Sequence, residues 1–415
     1  MPWSIPGSLL TEPKPPEDPT WLDIVVGQFF RRSLSVSAAL GVLVLWGLAI
    51  LAPVMASNKP FVWRVGDGPL QFPWFKSLFD QIFFENGVDL FFNTLLVALV
   101  VVGPAVFLLW RRSASLPRRP RTLRRGWIAG AAVGIWLVFL GGVMAFPYQA
   151  PKEVYPLLEK SVRATGQEVL AIYPPIPHSF RDGDIGRALQ PSSSDHWLGT
   201  DSSGRDVLTR LLFGTRVSLT VGVFAVALYV TLGVIIGALA GYFGGWVDLV
   251  IQRVIEVVIC VPSLFLVLSV ASFLTERSIF HILFIIAAVS WTGPARLVRA
   301  EFLRLRELDF VAAARAAGFS QPVIIFQEIL PNALGPVLVS ATFGVASAIL
   351  VESTMSFLGL GDATLPSWGQ ILNNGRSSGV WTMILAPGSA IFVTVSLLNL
   401  VGEGVRDALD PKLRK

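Results

Sequence analysis

The chain has 415 residues, 53% of them hydrophobic, with a mean hydropathy of +0.63 and only 15% charged residues. This excludes a disordered chain, which needs low hydrophobicity and high charge, and an ordinary soluble domain, in which about 25% of residues are charged. The net charge of +5 does not point to nucleic acid, because the basic residues sit in short loops between apolar runs rather than on one patch.

Eight charge-free runs reach 18 residues or more: 33–58, 90–110, 126–151, 217–247, 257–275, 278–295, 329–351 and 377–402. A helix needs about 20 apolar residues to cross a hydrocarbon core, and only a helix can pair its own backbone there. The expected fold is therefore all-α and polytopic, with about eight transmembrane helices. Counting the short loops alternately from the N-terminus puts 20 Lys and Arg on one side and 5 on the other. The charge-bias rule places the richer side, with both termini, in the cytoplasm.

In chain order, 1–32 is a cytoplasmic lead. Pro13, Pro15, Pro16 and Pro19 oppose a helix there, and Trp21 to Phe30 suits a short interfacial one. Residues 33–58 are the first span. Residues 59–89 form an external loop whose Phe61, Trp63, Phe72, Trp74 and Phe75 suit a position on the headgroups. Residues 90–151 form a transmembrane hairpin around 111–125, which holds seven arginines. That loop marks the inner side and is also suited to anionic lipid. Residues 152–216 are long, polar and external. Near their end, Asp201 is expected to cap an interfacial helix through Val207, Leu208, Leu211 and Leu212.

Residues 217–402 carry the remaining spans, and 403–415 are a cytoplasmic tail. Within this part, the cytoplasmic segment 296–328 is rich in helix formers: Ala312, Ala313, Ala314, Ala316 and Ala317 precede Gly318, a helix-ending glycine. It reads as a helix–turn–helix whose small-residue face fits another protein's groove, or as a solvated connector between two spans.

Soluble-enzyme chemistry is missing from the sequence. No lysine follows a glycine, so there is no phosphate-binding Gly-Lys loop, and no Gly-x-Ser-x-Gly elbow occurs. His178, His196 and His281 are far apart in sequence and lack partners at ligand spacing, so no metal site is expected. The single cysteine, Cys260, lies in an apolar run. Ionisable groups near the membrane interior are functional candidates by default. Glu256 and Glu352 are the two such groups. Glu352 lines a polar path or marks the outer water boundary.

Four ordered blocks carry a family resemblance. HWLGTDSSGRDVLTRLLFGTRVSLTVG resembles the entry signature of the C-type permeases of dipeptide and oligopeptide ABC importers. DFVAAARAAGFSQPVIIFQEILPN is similar to their EAA loop, the cytoplasmic element that docks on the ATPase. ESTMSFLGLGDATLPSWGQIL and LLNLVGEGVRDALDPKLRK resemble the last two blocks of the family. In the first half, ASNKPFVWRVGDGPLQFPWFK is similar to the external loop of Yej-type oligopeptide and microcin C permeases.

The resemblance implies a six-helix type I importer core with an inserted hairpin, in a bacterial inner membrane. It implies a coupling loop over 296–331 with Asp309, Ala312, Ala313, Ala314, Arg315, Gly318, Leu330 and Pro331, and an external-face motif of Gly199, Thr200, Asp201, Gly204, Arg205 and Asp206. The implied partners are a second homologous permease, two ABC ATPase subunits, an external peptide-binding protein and membrane lipid. The chain would bind no cofactor; ATP and Mg would be used by the ATPases. The family carries Glu where this chain has Ala312, so Asp309 or Arg315 would take over any docking charge. A nickel or glutathione importer shares the architecture. An ion-driven secondary transporter would show inverted repeats, and none is evident.

Overall fold

A computed structural model describes residues 21–115, 118–150, 153–274 and 277–410. The proline-rich lead over 1–20, Arg-rich-loop residues 116–117 and the last five residues of the tail lie outside them. Helix α1 (Trp21–Arg31) packs on the last helix and precedes the first span, α2 (Ser33–Met55). Then come β1 (Val62–Val65), α3 (Pro73–Ser77) and a hairpin of α4 (Gly87–Val101), α5 (Gly103–Arg112) and α6 (Arg118–Ala145). Helix α7 (Tyr155–Ala164) and β2 (Val169–Ile172) belong to the long polar segment.

Among the described residues five helical stretches are long and apolar enough to span, and the number is up to eight when each of three bent pairs is counted as one span. The bends have local causes. Pro104 follows the α4–α5 break of 50°. Pro262 separates α9 (Gly245–Cys260) from α10 (Ser263–Ser272), which meet at 81°. Gly293 and Pro294 follow the 42° bend between α11 (Ile279–Ser290) and α12 (Thr292–Leu305). A proline cannot donate to the carbonyl one turn back and its ring clashes there. The run 257–275 is therefore not one straight span, and α10 alone is only about 15 Å long.

Helix α8 (Val207–Phe243) has 37 residues, about 55 Å, and is the central mast, packing on α2, α4, α11, α12, α15 and α16. Gly233, Gly237 and Gly241 form a small-residue stripe on α8. A Cβ at Gly233 would lie 2.7 Å from Pro294 Cβ, one at Gly237 2.9 Å from Val298 Cβ and one at Gly241 2.5 Å from Phe302 Cβ. Only glycine lets the two backbones meet this closely, the usual way helices associate where water supplies no driving force.

After α12 come α13 (Asp309–Ala316), the short turn α14 (Gln321–Val323), a π-type turn (Ile324–Ile329), α15 (Leu330–Phe357), α16 (Trp368–Ser378) and α17 (Thr382–Leu409). Helix α16 is wedged between α8 and α15. Its Trp368 is buried, donates from Nε1 to the Leu211 carbonyl at 3.0 Å, and lies over Gly214.

The hairpin is tied to this core by a buried ion pair. Arg216 of α8 donates from Nη1 to Asp89 of α4 at 2.9 Å and from Nε to the Ala49 carbonyl of α2 at 2.7 Å. Its guanidinium lies 5.0 Å from the Phe213 ring and 5.3 Å from the Phe92 ring. By contrast, the apolar window of α6 has no buried residue. It leans on α4 through Phe91 and Trp136, whose rings are 5.0 Å apart.

Residues 59–89 do not simply lie on a membrane surface. Strands β1 and β2 pair antiparallel, Val62 opposite Ile172 and Val65 opposite Val169, so the segments 59–89 and 153–206 form one small cap. Trp63 is buried in it against Tyr155, with ring centroids 5.0 Å apart. Lys59 lies over the Tyr155 ring, and Asn58 donates to Asp182. Burial lowers the Lys59 pKa and raises that of Asp182, and the charge of each opposes the shift of the other.

Candidate functional site

The segment 296–331 is built on an apolar anchor. In α13, Val311 and Ala314 point into a cluster with Val298, Phe302, Leu305, Ile324, Ile329 and Ala333. Asp309, Ala312, Ala313 and Arg315 face outward, and Asp309 and Arg315 form no ion pair among the described residues. The helix closes in a Schellman turn: Phe319 N–H donates to the Ala314 carbonyl at 3.1 Å and Gly318 N–H to the Arg315 carbonyl at 3.0 Å. Gly318 has φ +78°, a left-handed conformation that favours glycine. Phe310, Phe319 and Phe326 remain exposed around it, as does Pro331, while Leu330 is half-buried.

Two arginines brace this platform. Arg299 of α12 grips Asp248 of α9 with two bonds of 2.5 and 2.6 Å. Arg306 donates to the Gly241 carbonyl at 2.9 Å and so satisfies an acceptor at the C-terminal end of α8. Apolar packing thus joins α13 to α12, and the two arginines join that region to α8 and α9.

On the opposite end, the His196–Asp206 segment is an internal knot. The expected capping residue is corrected: Asp206 caps α8, accepting from Thr209 N–H at 2.7 Å. Asp201 closes a turn instead, accepting from Ser203 N–H at 2.9 Å and Arg205 N–H at 3.0 Å. It also pairs with Arg205 at 2.8 Å and Arg210 at 3.5 Å. Residues 207–212 form no separate interfacial helix; they are the first turns of α8, with Val207 buried and Leu208, Leu211 and Leu212 half-buried. Gly204 has φ +73°, and a Cβ there would collide with the Asp184 backbone. Gly199 has φ +80° and Thr200 accepts from Gln190 N–H at 2.8 Å. Arg210 reaches Gln370 of α16 at 2.7 Å, which links the knot to the core.

The two acidic candidates part company. Glu352 is 1% exposed, so within this chain it neither lines an opening nor marks a water boundary. Ser356 donates to it at 2.7 Å, and Ser353 and Ser367 adjoin. Ser367 caps α16, so the carboxylate sits at that helix's N-terminus, where a negative charge is favoured. Glu256 is exposed on α9 and pairs with Arg253 at 2.6 Å.

The absence of a metal-ligand cluster also needs correction. His178, His196 and Asp206 bring one donor atom each to within 4.8 Å of one another. Sequence separation concealed this, because His178 arrives on a loop folded back over the start of α8. The Gly233/Gly237/Gly241 stripe and the Arg216–Asp89 pair were missed too. The first is visible as a four-residue glycine spacing in GVIIGALAG; the second joins residues 127 positions apart and leaves no local signal.

Residues 233–415 match the family of binding-protein-dependent transport system inner membrane components. A dipeptide transport system permease protein of Alkalihalophilus pseudofirmus is 40% identical over 252 residues, 59% of this chain and 82% of its own length. The chain belongs to this permease family. An oligopeptide transport system permease protein of Bacillus subtilis is 36% identical over 253 residues, covering 60% of this chain and 82% of that protein. A glutathione transport system permease protein of Pectobacterium atrosepticum is 39% identical over 234 residues, covering 56% and 77%. The permease is thus a C-type, multi-pass inner-membrane component of an ABC importer.

Proposed function

We propose that this permease imports short peptides by forming a translocation path with a second, homologous permease. Two ATPase subunits supply the energy through residues 309–331, and an external binding protein delivers the substrate. The support for the substrate class is the similarity to permeases of dipeptide, oligopeptide and glutathione systems, whose named substrates are all short peptides. The support for coupling is one observation: α13 shows Ala312, Ala313 and Phe310 on its outer side while Val311 and Ala314 lock its inner side into the core. A small-residue face on a rigid base suits insertion into a groove, because it transmits displacement without side-chain slack.

In this reading, closure of the ATPases pushes on α13. Val311 and Ala314 carry the push into α12, Arg306 passes it to α8 and Arg299 to α9, and the glycine contact of α8 with α12 keeps these two moving as one body. Both termini and the arginine-rich loop face the cytoplasm. The chain performs no covalent chemistry, and ATP and Mg belong to the ATPase subunits. Co-purification in mild detergent tests the coupling surface. The ATPases should accompany the wild-type permease and be lost from a Gly318→Trp variant that inserts normally. Undiminished recovery with Gly318→Trp would refute the assignment of that surface.

A further inference from the structure

The external cap holds a cavity of about 1040 Å³. His178, His196, Asp195 and Asp206 are among its lining residues. None of the transport roles above uses the two histidines. Their rings stack with centroids 4.3 Å apart and planes 26° from parallel. Each ring has one nitrogen already engaged. His178 Nε2 is 2.8 Å from the Asp195 carbonyl oxygen, which can only accept, so that nitrogen carries the proton. His196 Nδ1 is 2.9 Å from Asp206 Oδ2, and the carboxylate accepts there in the same way. These tautomers leave His178 Nδ1 and His196 Nε2 with free lone pairs.

The hydrogen bonds, one to each ring, are of the kind made by imidazoles that ligate a metal. Such a histidine almost always donates its other N–H to a backbone carbonyl or a carboxylate, which fixes its tautomer and orientation. Here one ring has each kind of partner. The carboxylate is itself held, since Asp206 Oδ1 accepts from Thr209 N–H at the start of α8. His196 and Asp206 are both buried, whereas His178 is half-buried at the cavity wall, so an ion has a route in.

We propose that the external cap binds one divalent late first-row metal ion, of the zinc class, through His178 Nδ1 and His196 Nε2, with Asp206 as the orienting carboxylate and water in the remaining positions. Imidazole nitrogens favour zinc, copper and nickel over magnesium or calcium, which prefer oxygen. Zn–N bonds of about 2.0–2.1 Å place the ion in the plane of each ligating ring, so binding turns the half-buried His178 ring out of its stack on His196. The ion would tie three segments together: the loop through His178, the turn at His196 and the first turn of α8.

The test is isothermal titration of the full-length permease in detergent with Zn²⁺. Any affinity tag is removed, and exposed Cys260 is replaced by Ser to take away the thiol. The expected result is one ion per chain, lost in His178→Ala. Asp206→Asn, which keeps the helix cap, should weaken binding about 10- to 100-fold. Co²⁺ in place of Zn²⁺ should give visible absorption that disappears in His178→Ala. Failure of the parent chain to bind one ion would overturn the proposal, as would equal binding by the parent and both variants. Neither result bears on peptide import, which does not depend on this site.

Discussion

Replacing Asp89 by Asn tests whether one ion pair fastens the additional hairpin to the transport core. Arg216 is 0% exposed and its Nη2 has no partner, so Asp89 is its only counter-charge among the described residues. At 2.9 Å the pair attracts by about 6 kcal/mol at an effective dielectric of 20. Desolvation of both groups offsets much of this, but removing one partner strands the other, at roughly 3–5 kcal/mol. Asp89→Asn keeps a carbonyl oxygen facing Nη1, so the loss belongs near the lower end, about 3 kcal/mol. The double variant Asp89→Leu with Arg216→Met removes both charges and should fall within about 1–2 kcal/mol of wild type, as apolar replacements of buried pairs often do. Reversible unfolding in mixed micelles, followed by tryptophan fluorescence, measures the wild type, the single variants Asp89→Leu and Arg216→Met and their double variant, the four corners of one cycle. If the double variant loses as much as the two single ones combined, the groups are not coupled and the tether has been misassigned.

Further substitutions probe the other elements. Gly237→Leu should separate α8 from α12, because even its Cβ would lie 2.9 Å from Val298 Cβ and closer still to the Ala295 carbonyl; folded yield by detergent size exclusion measures this, and normal yield would contradict the packing. With Cys260 replaced by Ser, impermeant maleimide added from outside should label Ser193→Cys and spare Ser115→Cys, and the reverse pattern would invert the topology. Glu352→Gln should lower stability by about 1 kcal/mol through loss of its interaction with the start of α16, while uptake per folded molecule stays at the wild-type level; a selective fall in uptake would restore a path-lining role.

Hydropathy made the membrane architecture legible, because a span must be long, apolar and helical whatever its neighbours are. The same reasoning could not foresee where Pro262 would break a run, since a charge count ignores backbone donors. The helix end at Gly318 was readable because a glycine after five alanines is a local signal. The cap of α8 falls on Asp206 and not on the expected Asp201; both aspartates precede the helix, and the choice depends on how Gly204 turns the chain. Strands β1 and β2 lie about a hundred residues apart, so their pairing left no trace in either segment. Glu352 looked functional because of its apolar surroundings, yet its partners are serines on its own helix and at the start of α16, a placement that only folding supplies.

Peptide uptake by whole cells tests the central claim most directly. Cells lacking this permease should fail to accumulate a labelled di- or tripeptide. Wild-type permease should restore uptake, and Gly318→Trp at matched membrane levels should not. Restored uptake should stop on ATP depletion and persist when an uncoupler collapses the ion gradient while ATP is maintained. Uptake that survives ATP depletion but is abolished by the uncoupler would contradict the account, for it would mean a transporter driven by ions and not by partner ATPases.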